Sequence, residues 1–249
     1  MNNIAFYIVI FLTNVIQGIT GFAGTILAMP PGLMLVGYDV AKPILNFLGL
    51  LAGIYVFLTQ RKHVIWKELR KVVVIMAIGI FLGFFLKQLP AGYDGILYKA
   101  LGIFVILLAL QGWLKLVSKK DKLEEKELTG SKKKARASAL LLGSGIVHGM
   151  FVSGGPLLVS YLSGTIKDKI NFRATISTIW IILNTIILIQ DISTGMWTPE
   201  LMVTQLITIP FMIAGMVLGS VLVKRMSQEV FMKLTYILLL ISGILLMFK

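Results

Sequence analysis

Cysteine is absent from the 249 residues, which excludes disulfide staples, thiolate metal sites and cysteine nucleophiles. Acidic residues number only 11 and histidines two, and no long apolar stretch contains Asp or Glu. An enzyme working inside those stretches would need a nucleophile with a positioned base, paired acids or metal-ligand spacing, and His148 is the sole candidate base there. No catalytic residue, metal or cofactor is therefore expected. Charged residues make up 14% against 57% hydrophobic, with a mean hydropathy of +0.90, which excludes an ordinary soluble globule. A formal charge of +13 would point to nucleic acid in a soluble protein. Here the basic residues sit in short gaps between apolar runs, where they orient the chain in a membrane, so lipid and not nucleic acid is the expected partner. The opening Met1-Asn2-Asn3, followed directly by Ile4-Ala5-Phe6, also lacks the basic region of a cleaved signal peptide, and the first apolar segment is expected to remain in the mature protein.

What is present is apolar length. Stretches free of Asp, Glu, Lys and Arg run over Met1–Tyr38, Pro43–Gln60, Val72–Leu86, Ala100–Leu114, Ala137–Ile166, Ala174–Gln190, Leu201–Val223 and Leu234–Phe248. Six of these eight suit one membrane helix with lysines snorkelling at its ends. The first and fifth are too long: as single helices they would extend about 52 and about 45 Å, against about 30 Å of hydrocarbon. Each carries a glycine cluster near its middle, Gly18-Ile19-Thr20-Gly21-Phe22-Ala23-Gly24 and Gly149-Met150-Phe151-Val152-Ser153-Gly154-Gly155-Pro156, where a helix is weakest. The expected fold is an all-α polytopic membrane protein whose first and fifth segments break into half-helices, giving ten helical elements. Charge placement agrees: if each long stretch enters and returns, or crosses twice, 20 of the 24 basic residues fall on one side. That side is the cytoplasm, with both termini outside.

A shift of 131 residues lays Gln17-Gly18 on His148-Gly149, Gly24 on Gly155, Lys42 on Arg173 and Asn46 on Ser177. With a small insertion Gly79-x3-Gly83 matches Gly215-x3-Gly219, small-residue faces that let membrane helices approach closely. The chain reads as a first transmembrane repeat over 1–117, a basic cytoplasmic linker over 118–136 and a second repeat over 137–249. Each repeat makes an odd number of passes, so the two are inverted about an axis in the membrane plane, a construction common to secondary transporters that bind substrate at the repeat interface.

These features resemble the TauE/SafE family of sulfite and sulfonate exporters over nearly the whole chain. The two glycine clusters carry the resemblance, with Arg173-Ala174-Thr175-Ile176-Ser177-Thr178 opening the helix that follows the second; Lys42-Pro43-Ile44-Leu45-Asn46 departs from that hydroxyl-rich pattern in the first repeat. The resemblance implies efflux of a small sulfur-containing or carboxylate anion from a bacterial cytoplasm through the inner membrane, coupled to the proton gradient. An anion channel and a non-transporting structural subunit are the alternatives, and a homo-oligomer is compatible with either.

Broken helices expose backbone N–H groups and the positive end of a helix dipole, which suit anions. Thr20, Gly21, Gly24 and Thr25 at the first cluster, and Ser153, Gly154 and Gly155 at the second, are the candidate anion ligands, flanked by Gln17, Asn46, His148, Thr175 and Ser177. The alternative role of the glycines is tight packing. His148 is the only ionisable residue deep in an apolar run and is the candidate proton carrier, or else a neutral hydrogen-bonded histidine. Arg173 and Lys42 either attract anions at opposite mouths of a pathway or anchor the surface. Asn14 and Asn184 are expected to hydrogen-bond between helices, and Trp66, Trp113 and Trp197 to sit at the membrane interface.

Overall fold

The computed structural model describes residues 3–86, 99, 102–103, 106–107, 109–110, 113–114, 130–152 and 154–247. Their regular structure is helical throughout. The first long stretch forms α1 (Asn3–Thr20) and α2 (Ala23–Val36), followed by α3 (Tyr38–Gln60), a 3-10 turn at Arg61–His63 and α4 (Trp66–Leu86). The second forms α5 (Gly130–Phe151) and α6 (Gly155–Thr165), followed by α7 (Lys169–Ser193), α8 (Pro199–Arg225) and α9 (Gln228–Met247). With the helical residues of 99–114, these account for the ten helical elements expected.

Local chemistry sets several boundaries. Gly37, at φ 80°, separates α2 from α3 in a conformation that other residues adopt only with strain. The Asp168 carboxylate accepts from the backbone N–H of Ile170 and Asn171 at 3.0 and 2.8 Å, capping α7. Thr198 accepts from Leu201 N–H at 3.3 Å and Pro199 takes the first position of α8, where its missing N–H has no helical partner to lose. The helices extend beyond the charge-free stretches: Lys42 lies within α3, and both Arg173 and Asp191 lie within α7. Residues 130–136, assigned from sequence to the basic linker, form the first turns of α5; the linker's residues 118–129 lie outside the described residues.

Five spans among the described residues are long and apolar enough to cross a membrane: α3 with its 3-10 turn, α4, α7, α8 and α9. In α3 and α7 67% of the spanning window is buried, against 33% in α4 and α8, so the former pair is central and the latter peripheral. The peripheral helices turn Val74, Ile78, Phe81 and Phe85, and Val203, Leu206, Val217 and Val221, outward. In lipid such faces carry no penalty, and association must come from close backbone packing. Gly18 of α1 lies against α8, where a Cβ would stand 2.8 Å from the Met216 carbonyl oxygen; Gly145 of α5 lies against α4, where a Cβ would stand 2.9 Å from Gly79 Cα. The first helix of each half thus packs against the fourth of the other. At the centre Lys42 meets Asp191, Asn46 meets Asn184 and Gly53 meets Ser177, so α3 and α7 run antiparallel.

Candidate functional site at the helix breaks

Both long stretches break where the glycine clusters stand, and by the same device. At the first, Gly21 adopts φ 83° and its N–H donates to the Gln17 carbonyl at 2.7 Å. At the second, Val152 adopts φ 53° and its N–H donates to the His148 carbonyl at 2.8 Å. A left-handed residue there closes the helix and releases the chain in a new direction. For a β-branched valine this conformation is strained, which tertiary packing has to maintain.

The two breaks differ in what they leave open. Thr20 Oγ1 faces the N–H groups of Phe22 and Ala23 at 3.4 and 3.3 Å, and Gln17 Oε1 accepts from Gly24 N–H at 2.8 Å, so the start of α2 is satisfied by side chains. The start of α6 has no side-chain cap among the described residues: Gly154 and Gly155 lead into it, and Pro156 supplies no N–H. Ser144 instead donates to the Gly154 carbonyl at 2.7 Å, which holds the loop against α5.

Between the breaks lies a recess of about 300 Å3, counting its open mouth, lined by Gln17, Thr25, His148, Gly155, Trp180 and Asn184 among polar and backbone groups and by Phe22, Ile26 and Val152 on its apolar side. His148 Nε2 stands 3.0 Å from Asn184 Oδ1, and the imidazole lies 4.9 Å, centroid to centroid, from the Trp180 ring. His148 Nδ1 and Trp180 Nε1 are buried without a hydrogen-bond partner among the described residues. Thr25 Oγ1, Gln17 Nε2 and Asn184 Nδ2 donate to no described group either, and Gly49 lies close enough to Asn184 that a Cβ would come within 2.8 Å of Nδ2. Buried polar groups are ordinarily satisfied, so a cluster left over in one recess makes this recess the candidate site.

Of the sequence-derived candidates, Gln17, Thr25, His148 and Gly155 line this recess, and Thr20, Gly21, Gly24 and Gly154 shape the loops beside it. Ser153 lies outside the described residues. Arg173, Thr175, Ser177 and Asn46 stand elsewhere and make protein contacts. Arg173 Nε donates to the Gly18 carbonyl at 2.6 Å and its terminal amine to Ser220 Oγ at 2.7 Å, placing a cation on the free carbonyls that end α1. Thr175 Oγ1 accepts from Ile65 N–H at 3.0 Å, Ser177 Oγ approaches the Gly21 carbonyl at 3.5 Å, and Asn46 Nδ2 donates to the Asn184 carbonyl at 3.1 Å. Lys42 is neither at the surface nor free: it is buried in an ion pair with Asp191. Trp180 and Asp191 escaped the sequence reading, although Arg173, Ser177, Trp180, Asn184 and Asp191 recur at intervals of three, four and seven, one face of α7.

The sequence matches a known family. A sequence model described as "Sulfite exporter TauE/SafE" matches residues 6–246. The chain belongs to the TauE/SafE family. It matches no curated protein and no solved structure. As a TauE/SafE protein it is a multi-pass membrane protein of a transporter family, and its spans face lipid with the apolar surfaces of α4 and α8.

Proposed function

We propose that this TauE/SafE protein is a secondary transporter that exports a small oxyanion, sulfite or an organosulfonate, across the bacterial cytoplasmic membrane, with the recess between the breaks as its binding site. The observation that carries the proposal is the recess itself: five polar side chains from α1, α2, α5 and α7 converge there beside the uncapped start of α6, and none is fully satisfied within the protein. An oxyanion presents several acceptors in a small volume and suits donors arranged in this way. The chemistry required is binding, and among the described residues no nucleophile with a positioned base stands in the recess.

Alternating access between two inverted repeats is the transport mode that fits. Reciprocal packing of first helices on fourth helices, an antiparallel pair formed by the two third helices, and breaks at left-handed residues 131 positions apart all support an axis in the membrane plane. Both termini then lie outside the cell and 118–136 in the cytoplasm. Coupling to protons would run through His148, the titratable side chain of the recess.

Thermal unfolding of the purified protein against a panel of sulfite, methanesulfonate, sulfate and acetate tests the assignment. A ligand of the folded state at a hundred times its Kd adds about 2.7 kcal/mol, which a melting curve resolves. Sulfite or the sulfonate should raise the midpoint; a panel without effect refutes the anion site.

A further inference from the structure

Among the described residues the recess has donors but no cation of its own, and we propose that the anion enters it together with a proton taken up on Nδ1 of His148, with the indole N–H of Trp180 as a second ligand, so that the two are carried as an electroneutral pair. This rests on the reading of the recess as the anion site and fixes the sense of coupling: co-binding, not exchange, so that export runs down the anion's own gradient and is not driven by the proton gradient.

His148 Nε2 stands in hydrogen-bond contact, at 3.0 Å, with Asn184 Oδ1. A carboxamide oxygen only accepts, so Nε2 carries the ring proton and Nδ1 of the neutral imidazole presents a lone pair. No described group donates to that lone pair. Beside it, Trp180 Nε1 is a donor that lacks an acceptor. Two adjacent buried rings, one nitrogen wanting a proton and the other an acceptor, are both completed by adding an oxyanion and a proton at once. An anion alone would meet the Nδ1 lone pair; an anion with a proton on Nδ1 gains a charge-assisted hydrogen bond.

Among the described residues the surrounding charges offer no unpaired cation close to the recess. Facing His148 from α7 are Trp180 and Asn184, from α1 Gln17, and from α2 Phe22, Thr25 and Ile26, all neutral. Against α5 the helix α4 presents Met76 and Ile80, while Lys67, Glu68, Arg70 and Lys71 lie near its start, Lys71 about 14 Å back along the axis from Ile80. Helix α6 has no charged side chain. From α3 comes Lys42, which is paired with Asp191, and Arg173 is engaged with Gly18 and Ser220. An unpaired anion in a partly buried site is costly, so the proton must come with it.

Methanesulfonate is the probe, since it holds no proton of its own between about pH 5 and 8 and any pH dependence belongs to the protein. Its affinity for the purified wild-type protein should weaken tenfold per pH unit between the titration of the histidine in the free protein and that in the bound state, with close to one proton taken up per anion bound over that range in weakly buffered solution. His148→Gln should bind with a flat pH profile, and Trp180→Phe should keep the wild-type slope at weaker affinity. In proteoliposomes, methanesulfonate flux should not respond to an imposed membrane potential. Binding without proton uptake, or flux that follows the potential, would overturn the co-binding proposal and leave the anion site standing. Failure of methanesulfonate, sulfite and acetate to bind at any pH would overturn the site itself.

Discussion

Lys42 on α3 and Asp191 on α7, 149 residues apart in sequence, form an ion pair that is 3% and 0% exposed. It locks one end of the central antiparallel pair, with the Asn46–Asn184 hydrogen bond further along the same seam. A buried pair contributes little net energy, but removal of one partner strands the other. Lys42→Met or Asp191→Asn alone should therefore destabilise by about 3–5 kcal/mol, while Lys42→Met with Asp191→Leu should recover most of the loss. Melting curves of the three variants decide it. Additive losses in the double variant would show that the pair is not a coupled unit.

Arg173 holds the end of α1 through two directed donors. A lysine can keep the charge but not the fork, so Arg173→Lys should cost about 2 kcal/mol and lower the melting temperature. An anion-attracting role instead predicts an unchanged melting temperature with weaker anion affinity, and the two readouts separate the roles.

The first break depends on Gly21. Its φ of 83° disfavours any side chain, and a Cβ would stand 2.7 Å from Ser177 Oγ. Gly21→Ala should destabilise by about 1–3 kcal/mol. Gly164, in α6 with open space around it, is the control: Gly164→Ala should be neutral or stabilising by up to about 1 kcal/mol.

Because the chain contains no cysteine, single cysteines report sidedness without background. Asn3→Cys should react with a membrane-impermeant maleimide in intact cells, and Lys132→Cys only after permeabilisation. The opposite pattern would invert the proposed topology.

The breaks were legible in the sequence because glycine clusters interrupt stretches too long for one helix, and four recess residues, Gln17, Thr25, His148 and Gly155, could be named from their place in or beside those clusters. Trp180 was passed over and Asn184 was read as an amide bonding between helices, because neither was set in the helical spacing that puts them on one face with Arg173 and Ser177. Asp191 was lost for another reason. Dividing the chain at every charge ended the span at Gln190, yet a helix can carry a carboxylate inward when an ammonium waits there. The roles of Arg173 and Thr175 depend on which backbone groups of distant segments reach them, α1 for the one and Ile65 for the other, and no local pattern encodes that.

The account stands or falls on carriage of a small oxyanion through the recess. Uptake of radiolabelled sulfite into proteoliposomes, driven by an imposed gradient, measures this most directly. The wild-type protein should give saturable flux above empty vesicles, and Asn184→Leu, which removes a recess donor, should abolish most of it at undiminished protein content. Flux indistinguishable from empty vesicles, or wild-type flux retained in Asn184→Leu, would contradict it.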